Sequence, residues 1–150
     1  MKHSDSIDIA APAEQVFAAI ADLPAMERRS PENTGGVWLG GATPSLGARF
    51  RGTNAHGDDS WATVATISDF EPPHRFGFNV TFAKLKVARW VFEIEETPTG
   101  CRVSEHWTDQ RGVALKRYAN TLEYDRIEFT RESIRTTLEN LKAELEASRS

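Results

Sequence analysis

Hydrophobic patterns change along this chain in an order that few folds accommodate. Alternation at Ile7 and Ile9 predicts a short first strand, and a helical stripe follows at once. An aromatic segment with a period of two fills the middle, and an apolar stripe with a period of about 3.6 residues begins at Val113. Because each period marks one apolar face, the order predicts an α+β fold. A curved antiparallel sheet would wrap around a long C-terminal helix, with room for a ligand between them.

Two short helices are expected after the first strand. Pro12 suits the first position of a helix, where its missing N–H costs nothing. Asp22-Leu23-Pro24 interrupts this helix, and a second short stretch through Met26 to Arg29 ends at Ser30-Pro31. The stripe that the first helix buries consists of Ala13, Val16, Phe17 and Ile20.

Five or six strands are predicted next, and their short connections imply an antiparallel meander. The first three are Val37 to Leu39, Gly47 to Asn54 and Ser60 to Phe70. The glycine pairs at 35–36 and 40–41 are interpreted as hairpin turns, like the segments 56–59 and 98–100. In each of the last three strands, alternate residues share one face: Phe76, Phe78, Val80 and Phe82; Ala88, Trp90, Phe92 and Ile94; and Cys101, Val103, Glu105 and Trp107.

The C-terminal third is predicted to be helical. A short helix or turn begins near Val113, and a long helix runs from near Tyr124 to Ala147. Its apolar stripe contains Ile127, Ile134, Leu138, Leu141 and Leu145. The tail, residues 148–150, is expected to fray.

Composition excludes several classes of protein. The 150 residues are 39% apolar and 27% charged, which predicts one globular domain over residues 1–150. A net charge of −4 provides no basic field for nucleic acid, and no apolar run reaches the roughly 18 residues that cross a membrane. The polar N-terminus lacks the pattern of a signal peptide, and Cys101 is the single cysteine. We therefore expect a cytoplasmic protein, either a monomer or a homodimer.

No motif for a metal or cofactor is present in the sequence. It lacks the histidine and cysteine spacings typical of metal sites and the Gly-x-Ser-x-Gly motif of hydrolases. Its glycine pairs also lack the lysine of a phosphate-binding loop. We therefore expect neither a metal nor a cofactor.

Seven segments, in this order and spacing, resemble one known superfamily. They are Ile9–Phe17, Asp22-Leu23, Gly47–Asn54, Trp61, Val87–Trp90, Arg102–Glu105 and Thr137–Lys142. The chain resembles the polyketide cyclase/dehydratase-like branch of the START (SRPBCC) superfamily. The resemblance implies a helix-grip fold, in which a seven-stranded antiparallel sheet grips the C-terminal helix around a deep apolar cavity for lipids, polyketides or aromatic compounds.

The resemblance transfers no catalytic residue, because the superfamily shares no catalytic signature. Some relatives catalyse cyclisation or dehydration, some carry ligands and some regulate partner proteins. Many relatives have tryptophans near Met26 and Arg29, at the entrance of the cavity, whereas this chain does not. A more polar entrance is therefore expected here.

Glu105 is the strongest candidate for chemistry. It shares a strand face with Val103 and Trp107, so an inward orientation would place a carboxylate in an apolar cavity. Desolvation there would raise its pKa and suit it to proton transfer or to anchoring a polar ligand group. The alternative is a solvated or arginine-paired carboxylate near the end of the strand. His106 should point to the opposite face, which argues against a Glu-His catalytic pair.

Arg131 lies on the stripe of the last helix, four residues after Ile127 and three before Ile134. It is a candidate partner for Glu105 or for a ligand carboxylate. The alternative is that its stem covers apolar surface while its head reaches water.

The remaining candidates surround the same cavity. Asn54 would orient a polar ligand group if it points inward, or would shape its turn if it does not. Trp61, Phe78, Trp90 and Trp107 would form an aromatic wall, although most aromatic residues of a sheet belong to a core.

Three functions remain open from the sequence. The first is binding of a small hydrophobic ligand in the cavity. The second is cyclisation or dehydration of a polyketide-like substrate, with Glu105 moving a proton. The third is a non-catalytic regulatory module that binds a partner protein through an exposed apolar patch.

Overall fold

The computed structural model describes residues 1–119 and 126–147. Its strands are β1 (Lys2–Ile9), β2 (Asn33–Trp38), β3 (Arg49–His56), β4 (Asp59–Glu71), β5 (Arg75–Phe82), β6 (Leu85–Thr97) and β7 (Gly100–Asp109). Its α-helices are α1 (Ala13–Ala21), α2 (Val113–Ala119) and α3 (Arg126–Ala147). Short 3₁₀ helices span Leu23–Arg28 and Leu39–Gly41. The predicted start of the last helix near Tyr124 and the predicted fraying of 148–150 lie outside the described residues.

One antiparallel sheet contains all seven strands, in the order β1-β7-β6-β5-β4-β3-β2. Strands β2 to β7 pair as consecutive neighbours, so the predicted meander is confirmed. Strand β1 pairs with β7, so the first and the last strand of the chain are neighbours in the sheet. In this pair Ile9 lies opposite Cys101 and Asp5 lies opposite Glu105. The predicted α+β helix-grip architecture is therefore the observed one.

The glycine pair at 35–36 corrects one prediction, because it lies inside β2 and not in a hairpin turn. A register shift between Asn33 and Gly35 marks an irregularity in the pairing of β2 with β3. A Cβ atom at Gly36 would lie 2.7 Å from the Phe50 ring. The glycine therefore lets an aromatic ring lie close against the strand backbone, which a short-range turn signal does not reveal.

Helix α3 packs against β1 and β7, and its two halves have different surroundings. Leu138, Leu141 and Leu145, in its second half, are buried in the core. At that end, Phe17 of α1 packs against Phe76, with ring centroids 6.0 Å apart. The first half of α3, from Arg126 to Thr137, lines a cavity. The core therefore fills one end of the sheet and leaves the other end hollow.

A buried arginine joins the first 3₁₀ helix to α3. Arg29 is only 4% exposed, and its Nε lies 2.6 Å from Glu144 Oε2. Its Nη1 donates to the carbonyl oxygen of Ala19 at 2.9 Å, and its own carbonyl oxygen accepts from Asn140 Nδ2 at 2.8 Å. The segment in which many relatives have tryptophans is thus held in this chain by polar contacts.

Candidate functional site

The cavity between the sheet and α3 has a volume of about 270 Å³. That value lies near the lower end of the range for small-molecule pockets. Its walls come from the concave faces of β3 to β7, the 3₁₀ helix at 23–28 and the first half of α3. The aromatic side chains in these walls are Phe50, Trp61, Phe78, Phe82, Trp90, Phe92, Trp107 and Phe129.

Three predicted site residues form one row across the sheet. Phe78 pairs in register with Trp90, and Trp90 pairs with Trp107. The two indole rings have centroids 6.3 Å apart and are tilted by 39°. Alternation within each strand placed these residues on one face, and the register between strands places them side by side. The row forms an apolar wall suited to a flat ring.

Glu105 lies in this wall and is only 4% exposed. Phe92 on β6 is its neighbour in register, and Trp107 follows it on the same face. No hydrogen-bond partner for its buried Oε1 occurs within residues 1–119 and 126–147. Burial raises the pKa of Glu105 well above its ordinary value, and the negative charge of Asp5 adds to this effect. Burial therefore favours the neutral, protonated form of this carboxyl group.

Asp5 faces Glu105 across β1 and β7 but has a cation of its own. Arg135 of α3 places Nη1 3.2 Å from both carboxylate oxygens of Asp5. The same nitrogen donates to the carbonyl oxygen of Ser6 at 3.1 Å. The guanidinium group of Arg135 is thus directed to the edge strand β1.

Arg131 agrees with the alternative in which its charged head reaches water. Its side chain is exposed, and its Nε lies 3.4 Å from His3 Nδ1 on β1, outside the lining of the cavity. Since successive helical residues are rotated by about 100°, Arg131 sits at the edge of the buried stripe, on the side that faces β1. The hypothesis that Arg131 pairs with Glu105 is therefore wrong.

Asn54 and Trp61 are opposite each other across β3 and β4, at the end of the cavity beside the β3–β4 hairpin. The hairpin turn lies beyond the pair His56 and Asp59, so Asn54 does not shape it. The amide Nδ2 of Asn54 lies 3.5 Å from Thr63 Oγ1, which is a weak contact. Both residues line the cavity, in agreement with the inward alternative.

An arginine that the sequence analysis missed covers this end. The guanidinium group of Arg126 lies 5.4 Å from the centroid of the Trp61 ring and 5.8 Å from that of Phe129. Its Nη1 is 2.7 Å from Glu32 Oε1. Arg126 begins the described part of α3, before its apolar stripe, so periodicity did not single it out.

A second ion pair lies where β7 leaves the sheet. Arg111 Nη2 is 2.8 Å from Asp109 Oδ2, with the two side chains 11% and 2% exposed. Burial acts to raise the pKa of Asp109, but the hydrogen bonds and charge of Arg111 outweigh it and hold that pKa below its ordinary value. The alternation through Glu105 and Trp107 extends to Asp109, so the pattern could have identified this carboxylate.

His106 lies on the opposite face of the sheet, as its position predicted. Its Nδ1 is 2.7 Å from Ser4 Oγ, and its Nε2 is 2.9 Å from Glu93 Oε1. The sheet separates it from Glu105. Within the described ranges, no group of three histidine, cysteine or acidic residues is placed to hold a metal ion.

The site thus combines aromatic walls with a buried carboxyl group, whose Oε1 has no hydrogen-bond partner in the described residues, and two arginines that are paired with carboxylates. Such a site can bury a flat apolar molecule and hold one polar group of it.

None of the helices in the described segments has the length and apolar composition needed to cross a membrane.

Comparison with known proteins agrees with this geometry. The chain is similar in structure to a Polyketide_cyc-like protein of Corynebacterium glutamicum, with 26% identity and a TM-score of 0.65, over 99% of this chain and 93% of that one. It is similar to the protein TTHA0849 of Thermus thermophilus, with 17% identity, a TM-score of 0.74 and complete coverage of both chains.

A third similar structure is BexL, a di-domain ARO/CYC protein from the BE-7585A biosynthetic pathway. It is 21% identical, with a TM-score of 0.73, and 97% of this chain matches 50% of that chain. No curated protein matches the sequence. A family model described as polyketide cyclase / dehydrase and lipid transport matches residues 1–146. This chain therefore belongs to the polyketide cyclase / dehydrase and lipid transport family, in the superfamily branch that its sequence resembles.

Proposed function

We propose that this protein binds a small hydrophobic ligand, such as a lipid, a polyketide or an aromatic compound, in the cavity between the sheet and α3. The observation that carries the proposal is the cavity of about 270 Å³ with its row of Phe78, Trp90 and Trp107. A core packed to ordinary density would not leave this space under aromatic side chains. The family description, which includes lipid transport, supports the same conclusion.

Affinity would come mainly from burial of apolar ligand surface. Each Å² removed from water contributes about 25 cal/mol before the costs of ordering are subtracted. The walls are held in place by the sheet register on one side and by the Arg29–Glu144 contact on the other. A preformed cavity lowers the cost of ordering and therefore favours binding.

The first experiment is native mass spectrometry of freshly purified protein, followed by extraction and identification of any released molecule. A bound apolar compound that leaves on denaturation is the expected result. Because Trp61, Trp90 and Trp107 line the cavity, titration with 2-isopropylnaphthalene should also change the intrinsic fluorescence. A clean protein mass together with unchanged fluorescence would contradict the proposal.

A second candidate function is catalysis of cyclisation or dehydration, and Glu105 is the observation that favours it. An ionised Glu105 would take a proton from the carbon beside a substrate carbonyl and return it to a β-hydroxyl group, which leaves as water. The raised pKa makes the ionised form less populated at a given pH than it is for an ordinary glutamate. The rate would therefore rise with pH until Glu105 is fully ionised, and a pH-independent rate would exclude this role.

A further inference from the structure

The cavity wall holds one carboxyl group whose surroundings restrict what the ligand can be. Glu105 is 4% exposed and contributes to the cavity lining, with aromatic residues on two sides. Its Oε1 finds no hydrogen-bond partner in the part of the chain that the structure describes. An enclosed polar atom without a partner is unfavourable, so a ligand that supplies the partner gains affinity.

Charged side chains lie on several of the elements that surround Glu105. Asp5 faces it from β1, and Arg135 of α3 is bound to that aspartate at 3.2 Å. His3 lies two residues before Asp5 on the same face of β1 and contacts Arg131. Strand β6 presents the uncharged Phe92 at the register position of Glu105. The charged side chains that line the rest of the cavity are Glu32, Asp59, Asp109, Arg111 and Arg126.

This arrangement disfavours an anionic ligand. The two lining arginines are already bound to carboxylates, Arg111 at 2.8 Å and Arg126 at 2.7 Å. An anion beside Glu105 would also meet the negative charge of Asp5. The free energy lost on desolvation of the anionic ligand would therefore not be offset by attraction to a cation.

A cationic ligand is also disfavoured. It would have to give up its own hydration and would hold Glu105 in its ionised form inside an aromatic wall. Desolvation of both charges in such a site is costly, and their mutual attraction does not reliably offset that cost.

We propose that the cavity selects uncharged, flat ligands that carry a carbonyl oxygen, and that the carboxyl group of Glu105 donates the hydrogen bond that holds this oxygen. The inference rests on the proposed ligand-binding function and names the class of its ligand. The row of Phe78, Trp90 and Trp107 supplies the surface for the flat ring. Glu105 is then the specificity-determining residue of the site.

The test uses three naphthalene probes of similar size. They are 2-acetylnaphthalene, which has a carbonyl acceptor, 2-isopropylnaphthalene, which has none, and 1-(2-naphthyl)ethylamine, which is a cation at neutral pH. Dissociation constants are measured by tryptophan fluorescence at neutral pH for the wild type, for Glu105→Gln and for Glu105→Leu. The glutamine variant keeps an N–H donor of similar reach, whereas the leucine variant keeps only the volume.

We expect the wild type to bind the ketone about tenfold more tightly than the hydrocarbon, which corresponds to one net hydrogen bond. The preference should remain in Glu105→Gln and vanish in Glu105→Leu. Infrared spectra of bound 2-acetylnaphthalene should show a lowered carbonyl stretching frequency in the wild type and an unshifted one in Glu105→Leu. A role of Glu105 in packing alone would not move this band.

Two results would overturn the inference while leaving the proposed function intact. One is equal affinity of the wild type for ketone and hydrocarbon, and the other is tightest binding of the amine. If no probe binds and the purified protein carries no apolar molecule, the proposed function itself is contradicted.

Discussion

Asp5 and Glu105 face each other in register across β1 and β7, on the same face of the sheet, yet only Asp5 has a cation. Arg135 lies 3.2 Å from both oxygens of Asp5, whereas Oε1 of Glu105 has no partner in the described residues. Two carboxyl groups on adjacent strands therefore differ in environment. Asp5 secures the edge strand to α3, while Glu105 is directed to the cavity.

The stability of the protein should reflect the buried state of Glu105. Its pKa is raised by folding, so its contribution is most favourable below the ordinary value of 4.5. Above that pH the unfolded chain releases a proton that the folded chain retains, and stability falls until the folded-state pKa is passed. Urea unfolding of wild type and Glu105→Gln should give a difference that grows with pH, by at most about 1.4 kcal/mol per pH unit. Parallel pH profiles would contradict this prediction.

Filling the cavity should abolish binding without unfolding the protein. Ala65 lines the cavity, and Ala62, on the same strand, faces the opposite side of the sheet. We expect Ala65→Phe to weaken binding of 2-acetylnaphthalene by more than about tenfold, because its ring occupies ligand space. Ala62→Phe is the matched control and should bind as the wild type does. Circular dichroism and urea unfolding verify that both variants fold, and equal affinities would place the ligand elsewhere.

Asp69 and Gly77 should be coupled energetically. Asp69 is held by Arg75 at 2.9 Å and Arg89 at 2.8 Å, and a Cβ at Gly77 would lie 2.7 Å from its Oδ1. Gly77→Ala should therefore cost about 1–3 kcal/mol of unfolding free energy in the wild type and less in an Asp69→Ala background, which removes the carboxyl group but keeps the Cβ atom at 3.1 Å. Urea unfolding of the four proteins measures this coupling, and additive effects would show that the carboxylate can simply move aside.

The pKa of Asp69 leads to a separate prediction about the stability of the protein in acid. Burial acts to raise the pKa of Asp69, but hydrogen bonds from Ser68, Arg75 and Arg89 outweigh it and lower that pKa from 3.8 to about 2. Its stabilising contribution is therefore present above pH 3.8 and is lost as pH falls through about 2. Asp69→Asn should be less stable than the wild type at pH 7 and should approach it near pH 2. A constant difference between the two pH profiles would argue against this origin.

Arg28 and Arg29 offer a matched comparison, because both bind Glu144 and differ in exposure, at 60% and 4%. Arg29→Met should lower the unfolding free energy by about 2 kcal/mol, since it removes charge-assisted hydrogen bonds in a buried setting. Arg28→Met should have a clearly smaller effect, because solvent screens its contact. Equal losses in thermal or urea unfolding would mean that the burial of Arg29 is unimportant.

Local pattern explains much of the site. Strict alternation was enough to predict that Trp90 shares a face with Phe92, and Glu105 with Trp107, because a strand allows only two faces. The register between strands then places these faces on one side of the sheet. Alternation also placed His106 on the other face. It did not assign Gly35-Gly36, since whether a glycine pair turns a chain or lies under a ring depends on the distant Phe50.

What the sequence by itself determined is the order of elements and which residues share a face within each strand, so that Glu105 and Trp107 lie on the same side of β7. Only the tertiary structure decided the partners. Arg131 and Arg126 are five positions apart on one helix. Arg131 nevertheless contacts His3 outside the cavity, whereas Arg126 lies over Trp61, which lines it. Periodicity places a residue on its own element but does not report how that element is rotated against the sheet. Whether Glu105 is paired depends on that rotation, and so does the chemistry of the site.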